Sequence, residues 1–427
     1  MRTRRVVLVV AGLVLVAGCS GGSDEGEAAR SSALPAETNL PAETTLSSGT
    51  TLPAPSVQGS TYDVPDDLDE FGPGDVLAVE ALPPVERLAG AVRYRVLYAS
   101  EDLGGQSVAV SGVVLIPTGT PPAGGWPVVS WGHGTTGVAD VCAPSLTDNL
   151  FYNEYAQEAS TLLHAGYAVV ASDYPGLGTP GMHSYLVGVD EANAMVDIVT
   201  AAHVLSRDLS PTWFAVGHSQ GGQAALFATR AAARAPDLLL AGAVAIAPAS
   251  GLHLALPAIS SGGVPADVVY GVYMLAGLST VDDGFRLEDA LGPAGLAQLD
   301  LIVEDGCLLD AYPKLDAAEI GHVFDLTPER AAELSEQVAL HGNSENEPVV
   351  GPVLVVQGED DHDVPLGLTD LMVQTLAEAG SPVDYRTYPG QGHDQVIGPS
   401  VCDRLAWMAE HGGPVVAGCT PYETDLS

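Results

Sequence analysis

The sequence predicts an α/β fold: a mostly parallel sheet with helices on both faces and a helical cap inserted into it. Three observations predict it: apolar runs alternating with helix-length stretches from Pro127 to Ala247, a change of texture at Pro248, and the same alternation again from Pro352 to His411. Parallel strands covered on both faces read as continuous apolar runs, and strands separated by helices build parallel β-α-β units.

At the N-terminus, Arg2, Arg4 and Arg5 precede the uncharged apolar run Val6 to Val16, which is closed by Ala17 and Gly18. That pattern is a secretory signal, and the run is short of the roughly 20 apolar residues a spanning helix needs. Leu15-Val-Ala-Gly-Cys19 resembles the bacterial lipobox, in which the Cys becomes an acylated first residue; two or more acyl chains make a firm anchor. Residues 20–60 are rich in Ser, Thr, Gly, Pro, Ala and Glu and repeat Leu-Pro-Ala-Glu-Thr at Leu34 and Leu40. Such a segment buries no core, so a disordered tether is expected, with a reach of roughly 35 Å.

The body opens with a β-hairpin, Val92 to Tyr98 and Ser107 to Ile116 about the turn at Leu103-Gly104-Gly105. Strands are then expected at Pro127–Trp131, Tyr167–Ser172, Trp213–Gly217 and Leu240–Ala247, with helices at Asn153–His164, Asp190–Leu205 and Gly221–Ala235. Beyond Pro248 come helix-sized pieces broken by Gly and Pro: Val268–Ala276, Pro293–Val303 and Pro328–Leu340. The alternation resumes with strands at Pro352–Gln357 and Val383–Tyr388 and helices at Leu366–Ala379 and Pro399–His411. The expected organisation is a signal peptide over 1–18, lipidated Cys19 and tether over 19–62, the first part of the body over 63–250, a helical cap over 251–345, and the rest of the body over 346–427.

Of the 427 residues 46% are hydrophobic, enough for a large core, and the formal charge is −39. That charge argues against nucleic acid as a partner and against basic-patch binding to acidic lipid. A monomer is the expectation. Beyond Cys19 four cysteines remain, an even number that in an exported chain suggests two disulfides with three possible pairings. Favoured are Cys402 with Cys419, which are local, and Cys142 with Cys307, which ties the insertion to the sheet. The spacing is not that of a zinc site, and neither metal nor organic cofactor is expected.

Gly217-His-Ser219-Gln-Gly221 fits G-x-S-x-G and is followed by Gly222. An apolar strand runs into it and an Ala-rich helix runs out, the context in which a sharp turn lifts a nucleophilic serine above a sheet. A serine hydroxyl needs a base, and the base needs an acid to fix its tautomer. His393, in the glycine-rich loop Tyr388-Pro-Gly-Gln-Gly-His393, is the candidate base. His411 ends a helix and reads as a favourable charge there. The acid belongs in the loop after Gln357, where Glu359, Asp360, Asp361 and Asp363 compete. Asp361 is the first choice and Asp360 the second; Asp363 reads as a helix N-cap. The loop Trp131-Gly-His-Gly-Thr135-Thr-Gly137 supplies a second oxyanion donor beside the backbone of Gln220, either Thr135 or its neighbours Gly134 and Thr136. His133 reads as structural.

With HGTTG at His133–Gly137, Ser172-Asp-Tyr-Pro-Gly-Leu-Gly178, GHSQGG at Gly217–Gly222, D-x-x-V-P at Asp361–Pro365 and GxGH ending at His393, the chain resembles the secretory lipase (lipase A-like) family of α/β-hydrolases from about Pro65 to Cys419. The resemblance implies a catalytic triad of Ser219, Asp361 and His393, supports the pairings Cys142–Cys307 and Cys402–Cys419, and implies hydrolysis of acylglycerols or simpler esters with the cap forming the acyl pocket. The lipobox and tether depart from the secreted members. Two rival expectations remain: an exported serine peptidase of the same fold, and a lipid-binding surface lipoprotein without catalysis.

Overall fold

Alternate residues of a strand face opposite sides of its sheet, and in this chain both sides are apolar. The computed structural model describes residues 60–260, 265–311 and 320–426. The expected signal peptide, acylated Cys19 and nearly all of the expected tether lie outside the described residues. The last tether residues are part of the fold instead. Thr61 is buried with its hydroxyl donating to Glu80 Oε2 (3.0 Å), and the Tyr62 hydroxyl meets Ser145 Oγ (2.7 Å). These contacts recruit polar residues whose composition alone suggested a tether.

Among the described residues nine strands form one sheet: β1 (Val76–Leu82), β2 (Ala91–Glu101), β3 (Ser107–Pro117), β4 (Trp126–Gly132), β5 (Ala168–Ser172), β6 (Leu209–His218), β7 (Leu239–Ile246), β8 (Val353–Gly358) and β9 (Val383–Tyr388), in the order β1-β2-β3-β5-β4-β6-β7-β8-β9. The β1-β2, β2-β3 and β3-β5 pairings are antiparallel, and every later pairing is parallel. Helices α1 (Asn153–His164), α2 (Gly188–Leu205) and α3 (Gln220–Ala231) cover the sheet before the insertion. The insertion carries α4 (Ala255–Ser260), α5 (Pro265–Leu278), α6 (Pro293–Ala297), α7 (Leu308–Ala311) and α8 (Pro328–Gly342). After it come α9 (Leu366–Glu378) and α10 (Ile397–Glu410).

The alternation sorts the core into two layers. Val128, Ala215, Ala243 and Val355 face α2, α3 and α9, whereas Val129, Val216, Val244 and Leu354 face α1 and α10. Across the second layer Arg404 of α10 makes a buried bidentate ion pair with Glu158 of α1 (2.6 and 2.9 Å), so both charges are satisfied inside the core.

The insertion leaves the sheet between β7 and β8 and has its own core, including Val269, Val272, Leu275, Leu334 and Val338. It is fastened to the body by the Cys142–Cys307 disulfide, by the Leu308 N–H donating to Thr136 O (2.8 Å), and by Gln223 Nε2 donating to Gly342 O (2.8 Å). The second disulfide joins Cys402 and Cys419. The helix expected over Pro293–Val303 stops at Ala297 and is followed by a π-helical turn at Leu301–Asp305. Gln298 leaves helical geometry (φ −117°, ψ 7°) and its N–H bonds Gly295 O (3.1 Å) in a tighter turn, which interrupts the helix after Ala297. Among the described residues no helix is long and apolar enough to cross a membrane.

Candidate active site

Parallel strands end on one edge of their sheet, and ligands bind in α/β folds beyond those carboxyl ends. The loops after β4, β6, β8 and β9 carry Thr135, Ser219, Asp361 and His393 in turn.

Ser219 sits between β6 and α3 with φ 56° and ψ −117°, a strained conformation for a residue with a side chain. The elbow is held by the Ser219 N–H donating to Ile246 O (2.9 Å) and by Ser219 O accepting from the N–H groups of Gln223 and Ala249 (3.1 Å each). A Cβ on Gly217 would collide with the Gly221 carbonyl, and one on Gly221 with the Gly132 carbonyl. The flanking glycines are therefore a packing requirement of the tight turn.

Of the four acids after β8, Asp361 is the one that meets the imidazole. His393 Nδ1 lies 2.8 Å from Asp361 Oδ2, which also accepts from Gln357 Nε2 (2.7 Å), while Oδ1 accepts from the N–H groups of Asp363 (2.9 Å) and Val364 (2.8 Å). Glu359 and Asp360 are exposed. Asp363 is not the expected N-cap, because α9 begins at Leu366 after Pro365 and has no side-chain cap. Burial disfavours charge on His393, but the hydrogen bond and charge of Asp361, with Asp394 and Asp363 behind it, outweigh burial and push its pKa up to about 9.

The imidazole Nε2 of His393 and the Ser219 hydroxyl have no hydrogen-bond partner among the described residues, and both side chains line one cavity of about 460 Å³. Thr135, Tyr152, Tyr270, Leu308 and Leu309 also line the cavity, so body and insertion both contribute walls. So do the carboxylates Glu154, Asp363 and Asp394. Burial, with the charges of Asp394 and Asp425 adding to it, raises the Glu154 pKa to about 7. A larger cleft of about 670 Å³, bordered by α2, α3 and α8, contains none of the candidate site residues.

The loop after β4 is tied at each peptide. His133 is buried, its pKa pushed down to about 4 by that burial, and its Nδ1 donates to Gly134 O (2.7 Å). In a trans peptide the N–H points opposite to the C=O, so the Thr135 N–H faces away from His133. It has no acceptor among the described residues, nor does the Gln220 N–H at the open start of α3. Gly134 is removed as a candidate donor, since its N–H is taken by the Tyr155 hydroxyl (2.9 Å). Thr135 O accepts from the Tyr152 hydroxyl (2.9 Å), and Thr135 Oγ1 pairs with the Tyr185 hydroxyl (2.7 Å).

Sequence reasoning missed these three tyrosines. No spacing signals them, since they lie 17 to 50 residues from their loop partners. His411 lies where expected, at the end of α10, with its Nδ1 donating to Trp407 O (2.8 Å).

Comparison with known proteins agrees with this architecture. A curated protein named lipase A from Arthroderma benhamiae is 23% identical over 394 residues, covering 86% of this chain and 82% of its own length. The structure of Candida antarctica lipase A in its closed state superposes with a TM-score of 0.68 at 20% identity, covering 86% of this chain and 91% of the other. The rice cell wall degrading esterase LipA from Xanthomonas oryzae superposes with a TM-score of 0.66 at 20% identity, covering 79% and 98%. The profile of the family described as "Serine aminopeptidase, S33" matches residues 151–398. With more than half of its length so matched, the chain belongs to the serine aminopeptidase S33 family, and its fold is the α/β-hydrolase fold of the lipases and esterase it resembles.

Proposed function

We propose that this protein hydrolyses carboxylic esters through an acyl-enzyme, with Ser219 as nucleophile, His393 as base and Asp361 as its orienting acid. The observation that carries the reading is the 2.8 Å contact of His393 Nδ1 with Asp361, which leaves Nε2 as the free nitrogen in the cavity that Ser219 lines. Neutral His393 takes the hydroxyl proton at Nε2 as Ser219 Oγ attacks the ester carbonyl. The N–H groups of Thr135 and Gln220 stabilise the oxyanion. The same proton then passes to the leaving alcohol, and water activated by His393 releases the acid. The named relatives, a lipase A and an esterase, support an ester as substrate.

Ser219→Ala is expected to abolish turnover of p-nitrophenyl butyrate and labelling by a fluorophosphonate probe; retained activity removes the assignment. In the same assay the wild-type rate should climb as pH rises. His393 must be neutral to accept the proton, and a pKa of about 9 leaves on the order of 1% of it neutral at pH 7. The rate therefore increases about tenfold per unit and levels off near pH 9. A plateau already reached at pH 6 contradicts the role given to the Asp361 contact.

The family description and the three cavity carboxylates favour a second reading, hydrolysis of an aminoacyl amide whose ammonium the carboxylates bind. Turnover of an aminoacyl p-nitroanilide without turnover of acyl esters selects it. Export and lipid anchoring through Cys19 complete the proposal on the strength of Leu15–Cys19 alone. Incorporation of labelled palmitate, lost in Cys19→Ser, is the expected result, and labelling that survives the substitution refutes it.

A further inference from the structure

We propose that Tyr155 and His218 form a hydrogen-bonded strut that sets the position of the Thr135 loop relative to His393, and that both are positioning residues for the reaction; the inference rests on the ester-hydrolase reading above. The strut is built from three elements distant along the chain: the first turn of α1, the end of β6 and the loop between β9 and α10.

The direction of every hydrogen bond in it is fixed by chemistry. His218 Nε2 lies 3.2 Å from the backbone oxygen of His393. A carbonyl only accepts, so Nε2 carries the proton. Asp394 Oδ1 lies 3.8 Å from the same nitrogen, too far for a hydrogen bond, so the His393 carbonyl is the acceptor on that side. His218 is buried, and that burial, with the neighbouring His393 charge, holds its pKa well below the usual imidazole value, so the ring is neutral and Nδ1 is a bare acceptor. The Tyr155 hydroxyl, 3.1 Å from Nδ1, must then be the donor. Its oxygen in turn accepts the Gly134 N–H at 2.9 Å. The sequence of bonds is Gly134 N–H to Tyr155, Tyr155 O–H to His218, and His218 Nε2–H to His393 O, with no group used twice and no alternative orientation that satisfies all three.

Geometry makes this a spacer. Tyr155 is 3% exposed and its ring is fixed edge-on by Trp131 and Tyr152, at 5.5 and 5.2 Å between centroids. The His218 ring packs on the His393 ring with centroids 4.7 Å apart. One end of the strut thus holds the residue before the Thr135 peptide, and the other holds the backbone of the base. His218 adjoins Ser219, so the strut runs beside the reacting hydroxyl. Relative motion of donor and base would misplace the oxyanion hole against the proton acceptor, and misplacement by about 1 Å can cost roughly 10²-fold in rate.

The test compares Tyr155→Phe, which keeps the ring and deletes the hydroxyl, with His218→Asn, whose side-chain amide replaces Nδ1 and does not reach the His393 carbonyl. For each, kcat and KM are measured on p-nitrophenyl butyrate together with the inhibition constant of butaneboronic acid. Ser219 Oγ adds to the boron and its proton goes to His393, so the adduct carries negative charge where the oxyanion forms. Both variants are expected to lose roughly 10- to 100-fold in kcat and in boronate affinity, with KM changed less than about threefold. A lower melting temperature with kcat and boronate affinity within about twofold of wild type means mere packing and overturns the proposal. In the unaltered protein, ¹⁵N NMR is expected to report His218 as the neutral Nε2–H tautomer from pH 5 to 9; a proton on Nδ1 overturns the strut even where neither variant folds. Should the wild-type protein neither hydrolyse the ester nor be labelled at Ser219, the functional reading fails, while the NMR result still judges the strut by itself.

Discussion

The helices that cover the sheet and the longest helix of the insertion begin in different ways. None of α1, α2, α3, α9 and α10 has an N-cap residue whose side chain bonds its first-turn N–H groups, and in α10 the Gly398 N–H donates instead to Thr424 Oγ1 (3.0 Å) from beyond the helix. In the insertion, α8 starts with Pro328 at its first turn and with Thr327, whose side chain accepts from the Arg330 N–H (3.2 Å). Helix ends in the body are set by what they pack against, and the end of α8 is set by its own sequence. At α3 the uncapped start leaves the Gln220 N–H open beside Ser219, as the proposed oxyanion role requires.

Covalent links sharpen the same contrast. Cys142–Cys307 joins body to insertion across 165 residues, whereas Cys402–Cys419 closes 17 residues within the body. By loop-closure entropy the first stabilises by about 5 kcal/mol and the second by about 3 kcal/mol. The double variant Cys142→Ser, Cys307→Ser is therefore expected to show the largest loss in urea unfolding. It should also change KM for longer acyl esters, because Leu308 and Leu309, next to Cys307, line the cavity. Cys402→Ser with Cys419→Ser should lower stability and leave kcat and KM within about twofold. Equal effects of the two pairs on KM would mean that the insertion is held in place by packing alone.

What was legible in the sequence follows this division. Interior parallel strands such as β5 and β8 were readable because both their faces are buried, so runs such as Val353–Val356 carry no polar interruption. β1 was missed: it is an edge strand with no buried residue, and its seven residues are apolar but for Glu80, so they show no period-two alternation. In the insertion α4 was missed, a six-residue helix with Pro257 inside it. The candidate positions Ser219 and Asp361 stand out in the sequence because each lies in a loop whose glycines or following Pro mark a turn after an apolar strand, and His393 because glycines mark its loop. Neighbours that reach the site from other elements, Tyr152, Tyr155 and Tyr185, left no local mark. Asp363 was misread for a related reason. The local rule that favours Asp before a helix lost to Asp361, which takes the Asp363 and Val364 N–H groups and begins the loop earlier.

The smallest effect tests the contrast most directly, because it isolates the cap of α8. Replacing Thr327 by Ala deletes the acceptor for the Arg330 N–H, and loss of such a cap costs about 1 kcal/mol. The site is exposed, so water takes over part of the bond and the loss stays at that scale. Thr327→Ser keeps the oxygen and is expected to retain most of the stability. Both are read by urea unfolding at one temperature, with kcat on p-nitrophenyl butyrate unchanged. If Ala and Ser are equally stable, Pro328 and the packing of Leu334 and Val338 start α8 without the cap, and the insertion obeys the same tertiary rule as the body.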